Sequence, residues 1–280
     1  MGLHKHFKKI GHHVQKLACI ALVLTFAAQI QAADGLTDDE HELLKISGMY
    51  EALSGINTQF NAGLKDGASR SGLSEEMQNT LASLSNEHLS EENLTAKVNK
   101  RVANNLSEQV VEKSLEWYRS DLGKKITAAE NASNTADSQQ KMMAMASELM
   151  SNQERVALEQ RILDSLDLSE SFLSMQQQIT LALVESMAIA NSGGKPVDLE
   201  PIKQQLAANA PAMKAQLDQF LVLSLLYSHR NISIEDLKQY EAFNKSAAGK
   251  KFNDVAAEAL VGALKSAMTD LAAASNSRFR

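Results

Sequence analysis

Ser114–Ile126 reads SLEWYRSDLGKKI, and Tyr240–Phe252 reads YEAFNKSAAGKKF. Setting Gly123 on Gly249 pairs Trp117 with Phe243, Ser120 with Ser246, and Ile126 with Phe252. It also pairs Lys124 and Lys125 with Lys250 and Lys251. The echo predicts an internal duplication. A serine hydroxyl accepts a hydrogen bond from one of the amides that a helix start leaves unpaired, so serine is a good N-cap. An acid such as Asp121 suits the first turn that follows. Ser120 and Ser246 are therefore expected to start a new helix after a kink. Gly123 and Gly249 then fall in its first turn, where a missing side chain permits close backbone approach. The alternative is an unbroken helix that tolerates the glycine at about 1 kcal/mol.

Upstream, Thr37 and Glu40 form the pattern of a capping box. Ile46, Met49, Tyr50, Leu53, Ile56, Phe60 and Leu64 then recur at three- and four-residue steps, one apolar stripe of an amphipathic helix. Asp66–Gly72, with two glycines and small polar residues, is expected to turn. Ser74, Ser90 and Ser107 each precede acids and an apolar stripe, and read as further caps. Setting Leu44 on Leu163 pairs Met49 with Leu168, Leu53 with Phe172, Ile56 with Met175, Phe60 with Ile179 and Leu64 with Leu183. Asn191–Pro201 is the natural place for residues added in the second copy. No alternating Val/Ile/Thr run suggests a strand. The expected fold is all-α, a duplicated multi-helix unit forming a helical bundle with no sheet. Its parts are a first repeat unit at 34–136, a Met-rich connecting helix at 137–157 and a second repeat unit at 158–280. Phe220–Tyr227 (FLVLSLLY) is apolar around the whole helix, so it is expected at the centre of the molecule or against a partner.

Residues 1–33 have the layout of a signal peptide: Lys5, Lys8, Lys9 and Lys16, the apolar run Leu17–Ile30, then Gln31-Ala32-Ala33. The run is shorter than the roughly 20 apolar residues that span a bilayer. Cleavage after Ala32 or Ala33 implies export, most simply to the periplasm. Cys19, the chain's one cysteine, leaves with the leader, so the remaining chain can form no disulfide. The four leader lysines leave too, and 24 basic residues then face 34 acidic ones. That balance disfavours nucleic acid and anionic lipid surfaces.

Catalytic patterns are scarce. Gly123-Lys124-Lys125 lacks the preceding glycines and following Ser/Thr of a phosphate loop. Glu40-His41 and Glu87-His88 are adjacent pairs, and Asp38 with His41 gives the Glu-x-x-His type of spacing once. No Gly-x-Ser-x-Gly elbow occurs. No catalytic residue, metal site or cofactor is expected. Lys141–Met150 (KMMAMASELM) places Met142, Met145 and Leu149 on one helix face. With Phe220 they form a candidate apolar ligand or partner surface, since methionine adapts to many shapes. The competing reading is core packing between the units.

The pattern aromatic-Tyr-x-Ser-x-x-Gly-Lys-Lys, carried by Trp117, Tyr118, Ser120, Gly123 and Lys124, resembles the bacterial domain-of-unknown-function family 2059. The resemblance covers Ser107–Glu130 and extends to Ser233–Ala257, where Phe243, Ser246, Gly249 and Lys250 match and Asn244 replaces the tyrosine. It implies a secreted or periplasmic helical protein and brings no catalytic residues. The expected function is a non-enzymatic protein-interaction or envelope-associated module, with a homodimer compatible. The alternative is a carrier or sensor of a hydrophobic small molecule or lipid in a cleft between the units.

Overall fold

The structure, a computed structural model, describes residues 35–71, 74–133, 135–166, 169, 170, 172–174, 177, 181 and 199–278. Residues 1–33, read above as a leader, and most of the stripe expected to repeat from Leu163 to Leu183 lie outside them. The described residues form twelve principal helices and no strand. They are α1 Asp38–Ile46, α2 Met49–Ser54, α3 Ile56–Ser71, α4 Glu75–His88, α5 Glu91–Val102 and α6 Glu108–Arg119. Then come α7 Asp121–Ser133, α8 Ala136–Leu149, α9 Gln153–Leu166, α10 Glu200–Ser228, α11 Ile234–Lys245 and α12 Ala247–Arg278.

Five helix starts share one capping chemistry, four of them as expected and the fifth, at Ser233, in addition. Thr37 and Glu40 close a capping box at α1, and the hydroxyls of Ser74, Ser90, Ser107 and Ser233 accept from the third residue of α4, α5, α6 and α11. Two expectations need correction. The stripe from Ile46 to Leu64 is not one helix. It breaks at Gly48, whose φ of +83° is open to glycine and strained for other residues, and again at Gly55. The expected turn at Asp66–Gly72 is helical as far as Ser71, because a single interior glycine costs only about 1 kcal/mol. Of Asn191–Pro201, the place expected for added residues, only Leu199–Pro201 are described. They open α10, where proline fits because the first-turn amides need no partner within the helix.

The two corners have the same geometry. Ser120 sits at φ −65°, ψ 157° and Ser246 at φ −66°, ψ 157°, each ending one helix and starting the next. Each hydroxyl accepts from the glycine amide three residues on, at 3.0 Å in both. Each also donates to the carbonyl three residues back, Trp117 at 2.6 Å and Phe243 at 2.7 Å. The glycines are required by proximity. A Cβ on Gly123 would lie 2.1 Å from the Trp117 carbonyl oxygen, and one on Gly249 would lie 2.0 Å from that of Phe243.

The match extends beyond the corners. Val102 and Ser228, Glu108 and Ile234, Arg119 and Lys245, and Asp121 and Ala247 are corresponding helix boundaries, each pair 126 positions apart. Packing corresponds as well. α1 lies on α6 as α9 lies on α11, and α6 meets α7 as α11 meets α12. The helix after each corner crosses over. α12 packs on α4, α5 and α6, while α7 packs on the end of α10 and on α9 and α11.

The largest core therefore draws on both ends of the chain. Leu43, Leu44, Leu53, Leu84, Leu94, Val98 and Leu115 meet Phe252, Val255, Ala259, Ala263, Ala267 and Leu271 of α12. The alanine stripe of α12 lets α5 approach closely, and Arg101 lies across Gly262, where a Cβ would sit 2.5 Å from its Nε. In the reciprocal core Ile126 of α7 packs among Leu158, Ile162, Leu237 and Tyr240. Between the two, Trp117 stacks on its sequence counterpart Phe243 at 4.7 Å and 7°. Tyr118 meets Phe243 and Phe252 edge-on.

Candidate functional site

The most unusual chemistry of the described residues lies where α7 crosses to the second half. His229 caps the C-terminal end of α10 and is fully buried. Its Nδ1 lies 3.1 and 3.0 Å from the two carboxylate oxygens of Glu159, itself fully buried on α9. Its Nε2 lies 3.2 Å from Oε1 of Glu130 on α7. An imidazolium can donate from both ring nitrogens at once, one to each carboxylate. The Tyr240 hydroxyl donates to the same Glu130 oxygen at 3.1 Å, and its ring stands edge-on to His229.

Burial alone would lower the His229 pKa. The hydrogen bonds and charges of Glu130 and Glu159 outweigh it and hold the group at about 9. Burial and the Glu130 charge push the Tyr240 phenol well above its ordinary range. The surrounding backbone is tied down too. Arg155 donates to the carbonyls of His229 at 3.0 Å and Ile232 at 2.8 Å in the turn after α10, where the His229 carbonyl also accepts from the Ile232 amide at 2.8 Å. Arg230 donates to the Tyr227 carbonyl, and its guanidinium lies 4.1 Å above the Tyr227 ring. The cluster thus joins α7, α9, α10 and α11.

The two carboxylates occupy opposite ring nitrogens, so they cannot converge on one ion. Among the described residues no group of three His, Cys, Asp or Glu side chains is placed to hold a metal. His41 Nδ1 instead lies 3.2 Å from the Tyr50 hydroxyl, which donates to Asn99.

Of the candidate apolar surface, Met142 and Leu149 are buried and Met145 half-buried, packed on Val222, Leu223, Leu226 and Tyr227 of α10. Phe220 does not join them. It is 42% exposed, as Met143 is 61% exposed. The stretch Phe220–Tyr227 is buried at its C-terminal end and open at Phe220, so it is not enclosed on every side. The motif residues are structural in placement: Trp117 and Phe243 stack, Tyr118 is buried, Ser120 and Ser246 cap, Gly123 and Gly249 admit a carbonyl, and Lys124 and Lys250 are exposed. Asn244 takes the place of Tyr118 in the second corner and accepts from Asn253.

With the first corner described, a comparison bears on it. Residues 92–152 match the model of a bacterial family described as "Uncharacterized protein conserved in bacteria (DUF2059)". The DUF2059 match takes in α5 from Glu92 and all of α6, α7 and α8. It therefore includes Ser120, Gly123 and Glu130. No curated protein and no solved structure matches the chain. No helix of the described residues is long and apolar enough to cross a membrane.

Sequence reasoning missed the His229 cluster, although one signal was present. Glu159 falls on the helix face that carries Ile162 and Leu163, three and four residues on. A carboxylate on an apolar face must find a buried partner. The cation that answers it is 70 positions away, in the turn after the apolar run Phe220–Tyr227.

Proposed function

We propose that this is an exported, non-enzymatic interaction module of the bacterial envelope, built from two like helical units. The leader pattern at residues 1–33 supports export, and the matching corners and boundaries support duplication. The polar groups with perturbed chemistry are occupied in holding helices together: His229 uses both ring nitrogens, and each corner hydroxyl both donates and accepts. The observation that carries the interaction reading is the pair of large apolar side chains left open beside the α8–α10 seam, Met143 and Phe220.

The test is photo-crosslinking in living cells. A photoreactive amino acid replaces Met143 or Phe220 in the full chain, with exposed Lys113 as control position. Discrete protein adducts at the two apolar sites and none at Lys113 support the reading; adducts at none of the three sink it. The carrier reading draws less support, because the Met142 and Leu149 face is filled by α10. A lipid that co-purifies in stoichiometric amount would restore it.

A further inference from the structure

A neutral imidazole carries one N–H and one lone pair, so it cannot donate to two carboxylates at once. His229 stands between two, and they differ in their access to water. Glu159 is fully buried and meets Nδ1 with both oxygens, at 3.1 and 3.0 Å. The Glu130 side chain, in the last turns of α7, is 30% exposed. It meets Nε2 with one oxygen at 3.2 Å, and that oxygen also accepts from the Tyr240 hydroxyl at 3.1 Å. A buried carboxylate that loses its partner has no water to replace it, whereas a part-exposed one can turn outward. When the ring gives up one proton to hydroxide in the solvent, the Nδ1 proton therefore stays toward Glu159, and the Nε2 lone pair faces Glu130.

We propose that His229 is a proton-operated latch on α7: charged, its ring ties the end of α7 to α9 and α10; neutral, it keeps Glu159 and releases Glu130 to solvent. The start of α7 stays in place, held by Lys125 to Asp236 at 2.9 Å and by buried Ile126, so the release is confined to residues 130–133. The other charged and titratable groups around the ring are engaged elsewhere. Burial and the Glu130 charge push the phenols of Tyr240 on α11 and Tyr118 on α6 above their ordinary range, so both keep their protons. Arg155 of α9 and Arg230 after α10 donate to backbone carbonyls, and Arg230 lies over the Tyr227 ring. Lys141 of α8 is held by Asp137 at 2.6 Å. Because the His229 pKa is raised from 6.5 to about 9, the latch is closed at neutral pH and opens as pH rises through about 9.

The test uses the full-length chain with isotope-labelled histidine rings and alanine methyls, followed by NMR from neutral pH to above the His229 midpoint. The proposal expects the neutral ring to carry its proton on Nδ1. The Ala129 and Ala132 methyls of α7 should gain motion with the same midpoint, while Ala157 of α9 stays rigid. A neutral ring protonated on Nε2 would overturn it, as would Ala129 and Ala132 methyls that stay rigid throughout. Glu130→Gln separates release from a mere change of ring charge. An amide both donates and accepts, so it serves either form of the ring, and Ala129 and Ala132 should stay rigid in this variant while His229 titrates. The same gain of motion in Glu130→Gln as in the unaltered chain would also overturn the latch. Neither result bears on the photo-crosslinking test, so the two readings fail separately.

Discussion

Replacing Gly123 with alanine sets two known effects against each other. In an ordinary helix the change is favourable, because alanine loses less conformational entropy and gains about 1 kcal/mol. At the corner a Cβ would lie 2.1 Å from the Trp117 carbonyl oxygen, 2.9 Å from its carbon and 3.0 Å from the Tyr118 Cα. Those atoms are backbone, pinned by the Ser120 amide at 3.0 Å and the Ser120 hydroxyl at 2.6 Å. Relief needs one helix to move by about 1 Å against a packed core, which places the cost near the upper end of overpacking, about 3 kcal/mol. Subtracting the propensity gain leaves a net loss of about 2 kcal/mol. For a chain of this size that lowers Tm by about 4–8 °C. Gly63, on α3 with nothing within 4 Å of a Cβ, is the control. Gly63→Ala should raise Tm by about 2–4 °C through the same propensity. Thermal unfolding by circular dichroism at 222 nm compares both with the unaltered protein. A Gly123→Ala protein that melts at or above the unaltered one, while Gly63→Ala rises, would refute the close-approach account of the corner.

Ser120→Ala and Ser246→Ala each remove a cap and should cost about 1 kcal/mol, read as a lower urea midpoint; unchanged midpoints in both would contradict the capping geometry. The His229 pKa is raised from 6.5 to about 9, so its contribution is complete below pH 6.5 and lost as pH rises through 9. The displacement corresponds to about 3 kcal/mol, and the urea midpoint should fall between pH 6.5 and pH 10. Glu130→Gln removes one of the two carboxylates facing His229. An NMR titration should place its His229 midpoint below that of the unaltered protein, and its loss of stability at high pH should be smaller; an unmoved midpoint would argue against the contact.

Much of the local structure could be read from residue types. The serine caps, the capping box at Thr37 and the corners follow from hydrogen-bonding groups that a helix start leaves open, and these depend only on near neighbours. The break at Gly48 was less visible, because the apolar spacing passes through it undisturbed while the backbone turns left-handed. The crossing of α7 and α12 was not legible at all. An apolar stripe says which face is buried and nothing about which helix covers it. The alanines of α12 announce a close neighbour without saying that it is α5. The His229 cluster was hidden for a related reason, since its four members come from four helices and no spacing connects them.

Hydrogen exchange on an Ile126→Ala protein tests the crossed arrangement most directly. Ile126 is buried on α7 among Leu158, Ile162, Leu237 and Tyr240 of the other half. The cavity left by the change should loosen the residues that line it. The account predicts faster amide exchange in α9 and α11, with α1, α4 and α5 protected as before. Faster exchange confined to α1, α4 and α5, with α9 and α11 unchanged, would contradict it.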